Sequence, residues 1–253
     1  AYQWAVNYSD CIVSIGDKMA VEYHKRFGGK YIVAMNSIDK PDIAPYTATN
    51  KVVQLVYAGN LGLNRWKILS LIAQCLVELK EESDINAELS IYSLIKPNKH
   101  ELRALSNPPY STYKGSVDTE GLNRIKAKSD LLVHVEAFDN NNRHITRLSI
   151  STKIPEYLAS GRCVFAVGPP DVASIQYLVD NDLGVVVTNN DKSVIKAKIK
   201  EIITNVDTRV LYANKGIKIA LEKHNIVRTV EAIQHIIVNA VKNYKYKDNQ
   251  VNE

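Results

Sequence analysis

Short runs of β-branched and aliphatic residues alternate with helix-periodic segments along almost the whole chain, and few folds accommodate that order. KVVQLVYA (51–58) reads as a strand, and the next stretch (64–80) sets Trp66, Leu69, Ile72, Cys75, Leu76 and Leu79 at helical spacing. Strand AELSIYS (87–93), a helix over 97–105, strand STYKG (111–115) and a helix capped by Asp118 and running to about 128 follow. DLLVHVE (130–136), CVFAV (163–167) and LGVVV (183–187) complete six strands, and a helix within STKIPEYLASGRCVFAVGPP (151–170) runs on to residue 160. Strict alternation with apolar strands and short connections predicts an α/β fold, a Rossmann-like parallel sheet with helices on both faces.

The ends of the chain break the pattern. Ahead of the sheet, CIVSI (11–15), a helix over 17–27 stopped by Gly28 and Gly29, and YIVAM (31–35) read as the last βαβ turn of a larger sheet. The proline-containing segment that follows reads as a linker. The expected organisation is a remnant over 1–40, a linker over 41–50, the main domain over 51–224 and a terminal helix with a basic tail over 225–253. Three helices, near 192–204, 208–223 and 227–244, close the chain. The last carries Val230, Ile233, Ile236, Ile237 and Val241 on one side, a stripe that must cover something.

With 253 residues, 45% hydrophobic and 23% charged, the chain can bury one large core or two unequal ones. Cys11, Cys75 and Cys163 lie far apart in apolar runs, which suits buried thiols in a reducing compartment, so a cytoplasmic location is expected. No apolar run reaches the roughly 18 residues of a bilayer span. The net charge of +5 is partly in the tail KNYKYKDNQVNE (242–253), which reads as a solvated terminus. No aromatic RNA-binding signature or zinc-finger spacing accompanies it, so no nucleic-acid partner is expected.

In open parallel sheets, ligands sit beyond the carboxyl ends of the strands. Three connections there carry chemistry. GNLGLNRWK (59–67) offers Gly59 for close backbone approach, with Asn60, and Arg65 and Lys67 for an anion, though it lacks the third glycine of a dinucleotide fingerprint and reads equally as a plain turn. The polar stretch 135–153 holds Arg143, His144 and Arg147 in what reads as a long loop, and Glu136 at its start could accept from hydroxyls or simply be exposed. Ser151 and Thr152 could cap the next helix, with Lys153 reaching a phosphate and Glu156 in the first turn. A cation and an anion together at a strand's carboxyl end suit a ligand with both phosphates and a diol, which is to say a nucleotide. The Asp180 to Asp182 triplet has metal-binding spacing but precedes its strand, and reads as a helix-end turn. His134 and Glu136 resemble a zinc deaminase element without its cysteine partner.

In order along the chain, YAGNLG, YKGSV (113–117), SDLLVHVEAF, STKIPEYLASGRCVFAVGPP and NDLGVVV resemble the donor-binding half of GT-B glycosyltransferases, in particular the retaining, family-four-like enzymes of bacterial polysaccharide assembly. AMNSID (34–39) resembles their crossing from acceptor to donor domain. The resemblance implies that Glu156 binds the ribose hydroxyls, and that Arg65 and Lys153, with amides around Gly59 and Thr152, hold the diphosphate. It further implies that the loop around Tyr113 and Gly115 faces the base, and that Glu136 or the loop after it faces the sugar. The family's first glutamate would fall at Leu148, so Glu136 departs from the pattern.

The implied reaction is transfer of a hexose from a nucleoside-diphosphate sugar, with uridine suggested by family likeness, and with no metal or other cofactor. Fixed cations would stabilise the departing diphosphate. The acceptor, a glycan or lipid-linked sugar, would be bound by a domain of which this chain holds only the end. Peripheral contact with the inner membrane face is a further expectation, from the basic tail and the related enzymes' lipid-linked acceptors. Two other readings are a non-catalytic binding subunit that needs a partner chain, and a sugar-nucleotide epimerase of the same architecture.

Overall fold

The computed structural model describes residues 2–39 and 46–251, with side chains to residue 242. Helix α1 (Tyr2–Asn7), β1 (Ile12–Ser14), α2 (Asp17–Phe27) and β2 (Tyr31–Val33) come first. β1 and β2 pair in parallel as a separate two-stranded sheet, Ile12 opposite Tyr31. The segment leaving β2 meets the chain's last helix: Ile38 N–H donates to the His224 carbonyl (2.7 Å), and Ile226 N–H to the Ile38 carbonyl (3.1 Å). Residues 40–45, which include the first five of the expected linker, lie outside the described residues. Tyr46 and Asn50, beyond them, are pinned to the Asp130 carboxylate at 2.7 and 2.8 Å.

The main sheet is built from β3 (Val53–Ala58), α3 (Arg65–Ser83), β4 (Ala87–Tyr92), α4 (Lys99–Leu105), β5 (Ser111–Gly115), α5 (Thr119–Lys128), β6 (Leu131–Val135), α6 (Asn140–Thr146), α7 (Lys153–Ala159), β7 (Cys163–Val167), α8 (Ala173–Asp180) and β8 (Val185–Val187). Its six strands, all parallel, run in the order β5-β4-β3-β6-β7-β8. The order reverses between β3 and β6, the switch point at which such sheets open a crevice at their carboxyl edge.

Alternation along the strands divides the core. Leu55, Leu131, Val133 and Phe165 pack with Leu69, Ile72 and Leu76 of α3 and with α9 (Lys192–Thr204). Val56, Leu132, Val164 and Ala166 face Ile154, Tyr157 and Leu158 of α7 and Ile175 of α8. Helices α10 (Val206–Lys223) and α11 (Ile226–Val251) end the chain. The stretch 135–153, expected as a loop, contains α6, whose N-cap Asp139 accepts from Asn142 N–H at 3.1 Å. Asp180 closes α8, and Asp182 pairs with Lys215 and Tyr212 of α10, which gives that triplet a structural task. Among the described residues no helix is long and apolar enough to cross a membrane.

Candidate functional site

Beyond the carboxyl ends of β3, β4 and β5 lies a cavity of about 710 Å³. Neighbouring strands are about 4.8 Å apart, so it extends roughly 10 Å across three strand ends. Gly59, Asn60, Arg65, Ser151, Thr152 and Lys153 line one end. Ser93, Leu94 and Ile95 from the β4–α4 connection, Ser116, Val117 and Asp118 from the β5–α5 connection, and Thr119 and Leu122 of α5 line the other. One end therefore carries the cations, and the other mixes apolar side chains with small polar ones and the Asp118 carboxylate.

The cationic end is held by buried contacts. Tyr157 of α7 sends its hydroxyl to the end of β3, accepting from Ala58 N–H (3.1 Å) and donating to the Ala58 carbonyl (3.2 Å). That clamp brings the start of α7 against Gly59, where a Cβ would collide with Lys153 Nζ. Lys153 Nζ lies 3.4 Å from the Tyr57 hydroxyl and 4.6 Å from the centre of its ring. Burial, and then the Arg65 charge, push the Lys153 ammonium down to about 8, with Glu136 and Glu156 opposing. Ser151 and Thr152 do not cap α7 through their side chains: Ser151 N–H donates to Ser174 Oγ (2.8 Å), and Thr152 occupies the cap position without a side-chain bond.

Glu136 is neither exposed nor a free acceptor. Only 2% exposed, it takes Arg65 Nη2 at 2.9 Å and Nε at 3.2 Å on one oxygen, while its other oxygen lies 3.5 Å from Nε2 of the fully buried His134. Burial raises its carboxyl above the usual range against the pull of Arg65, and burial with the nearby cations holds His134 well below its ordinary value. His134 is thus a neutral core residue, and Arg65 is shared between Glu136 and the cavity. Two successive left-handed residues, Leu63 (φ 56°) and Asn64 (φ 57°), turn the chain into α3 just before Arg65.

The remaining expected residues stand behind the cavity or beside it. Tyr113 and Gly115 do not line it but fix Ser93, the Tyr113 hydroxyl donating to the Ser93 carbonyl (3.3 Å) and Ser93 N–H to the Gly115 carbonyl (3.0 Å). Glu156 also lies off its lining, half-exposed, where Lys126 Nζ of α5 donates to it at 3.2 Å. Arg143 and Arg147 turn to Asp171 (2.7 Å) and Glu22 (3.4 Å). Sequence reasoning missed Ser93, Tyr157 and Lys126. The Tyr157 hydroxyl at helical spacing after Lys153 was the one readable sign, since a buried tyrosine needs a partner. Among the described residues no His, Cys, Asp or Glu cluster could hold a metal ion.

No family model and no curated protein matches the sequence. Solved structures do resemble this one. Sucrose-phosphate synthase from Thermosynechococcus elongatus matches over 96% of this chain and 61% of its own, at 14% identity and a TM-score of 0.69. Anabaena HepE in complex with UDP-glucose matches over 93% and 65%, at 13% identity and 0.69. A glycosyltransferase from Rickettsia africae matches over 96% and 67%, at 13% identity and 0.72. These are GT-B glycosyltransferases, and the chain has the fold of their C-terminal half, spanning about three fifths to two thirds of their length.

Proposed function

We propose that the chain is the donor-binding half of a glycosyltransferase and holds a nucleoside-diphosphate sugar across the ends of β3, β4 and β5. The observation that carries this reading is the polarity of the cavity: Lys153 and Arg65 at one end, Leu94, Ile95 and Val117 at the other, in a fold shared with a protein crystallised with UDP-glucose. In this reading the diphosphate lies against Lys153, Arg65 and the Gly59 backbone, and the base enters beside Leu94, Ile95 and Val117. Uridine is the preferred nucleoside, from that same neighbour. Glu156, off the cavity lining, reaches the ribose hydroxyls from the rim, with Lys126 orienting its carboxylate.

Transfer breaks the bond between the sugar's anomeric carbon and the β-phosphate oxygen, and the electron pair stays on the diphosphate. The Lys153 ammonium meets that growing charge at a fixed position, with no metal ion or other cofactor in the proposal. The incoming acceptor hydroxyl, a glycan's or a lipid-linked sugar's, loses its proton as the new bond forms, and the departing phosphate oxygen, which keeps the electron pair, can take it. Polysaccharide assembly at the cytoplasmic face of a membrane is the setting proposed. A second reading, a donor-binding subunit completed by a partner chain, is favoured by the exposed Val227, Ile237, Val238 and Val241 on α11.

Calorimetric titration with UDP, GDP and UDP-glucose tests the site. A charge-assisted hydrogen bond contributes about 1.5–3 kcal/mol, so Lys153→Ala should weaken UDP by about 10- to 100-fold. Wild-type protein that takes up no nucleotide at millimolar concentration would refute the reading. Release of UDP only with acceptor identifies a transferase, whereas conversion of the sugar without acceptor identifies an epimerase.

A further inference from the structure

Ser93 sits at the carboxyl end of β4 and is 4% exposed, yet its hydroxyl is without a hydrogen-bond partner among the described residues. Its backbone is fully engaged, N–H with Gly115 and carbonyl with Tyr113. The residue is therefore locked in place by its main chain while its side chain has no structural task. A buried hydroxyl left unpaired is costly, and such a group is rarely kept without a partner. Ser93 lines the cavity, and its two successors, Leu94 and Ile95, also line it while 87% and 63% exposed. Two apolar side chains held out beside one buried polar group suit a flat ring, with its faces on hydrocarbon and one polar edge turned inward.

We infer that Ser93 Oγ is a specificity-determining contact that hydrogen-bonds the ring edge of the nucleobase. This rests on the donor-site reading above and names a contact within it. A hydroxyl both donates and accepts, so it can meet a ring carbonyl or a ring N–H. Uracil and guanine both present such an edge, and the nucleotide that binds wild type more tightly decides between them. Gly59 N–H donates to the Tyr92 carbonyl at 3.0 Å, so the phosphate end begins one strand away, and inorganic pyrophosphate is the ligand that tells a base contact from a phosphate contact.

The test compares wild type with Ser93→Ala, titrated with UDP, GDP and inorganic pyrophosphate, alongside thermal unfolding of the unliganded proteins. The substitution deletes an unpaired hydroxyl, so the melting temperature should stay level or rise. Affinity for the preferred nucleotide should fall about three- to tenfold, the worth of one neutral hydrogen bond. Pyrophosphate affinity should not change. Nucleotide affinity that stays the same, or falls in step with pyrophosphate, would overturn the role of Ser93 while leaving the donor site standing. Wild-type protein that binds neither nucleotide would overturn both.

Discussion

Lys153 is the residue on which charge, burial and the proposed ligand meet. Its ammonium titrates near 8, against about 10.4 in an unfolded chain. Between those values the unfolded state binds more protons than the folded one, so the unliganded protein gains stability as pH rises through that window. Anion binding needs the charge and runs the other way. UDP affinity should fall between pH 7 and 9.5 with an inflection near 8, and Lys153→Ala should be weak throughout and lack that inflection, as calorimetry across pH can check. Arg65 belongs to a buried pair, and removing one partner of such a pair costs about 3–5 kcal/mol. Arg65→Ala should therefore unfold at markedly lower denaturant, and adding Glu136→Gln should recover much of the loss. The sequence shows the presence of Arg65, Glu136 and Lys153 at strand ends, but not that two of them pair. Pairing depends on how far α3 turns after Leu63 and Asn64, a backbone choice that residue types do not announce.

At the scale of elements, glycines mark where connections pass close to one another. At Gly168, between β7 and α8, a Cβ would lie 2.8 Å from Ile175 Cγ1 and 2.9 Å from Glu136 Cβ. Gly168→Ala should destabilise by about 1–3 kcal/mol, the usual cost of overpacking, measurable as a lower denaturation midpoint at unchanged slope. Gly59 is a different case, because its obstacle is the flexible end of Lys153. Gly59→Ala should fold nearly as well as wild type and bind UDP less tightly, since the ammonium must swing away. Six strands and the long helices were legible because apolar periodicity repeats in each. Helix α6 was not, since NNNRHIT has no apolar stripe and is held by its Asp139 cap and by the Arg143 to Asp171 pair. Glu156 and Lys126 meet only because α5 and α7 cover one face of the sheet, a neighbourhood set by strand order.

At the scale of the molecule, the chain presents a six-stranded sheet and a separate two-stranded one. The small piece holds on through Lys18, whose ammonium donates to Gln176 (3.0 Å), through Arg147 to Glu22, and through Ile38 against the start of α11. These contacts set β1 and β2 beside α8, the connection between α6 and α7, and the start of α11. The small piece is two strands and two helices, and Trp4, Tyr8 and Val21 stand exposed on it. In the donor-half reading proposed above, the exposed apolar groups there and on α11 are surface for a further domain or a partner chain to cover. These 253 residues alone are therefore expected to bind UDP saturably and to return no glycosylated product. Donor saturation by calorimetry, followed by a multiple-turnover assay with UDP-glucose and an oligosaccharide acceptor, separates the two halves of that statement. Efficient turnover would mean that the small sheet carries an acceptor site after all. Binding without turnover, with product appearing only when a second chain is supplied, would locate acceptor recognition outside these residues.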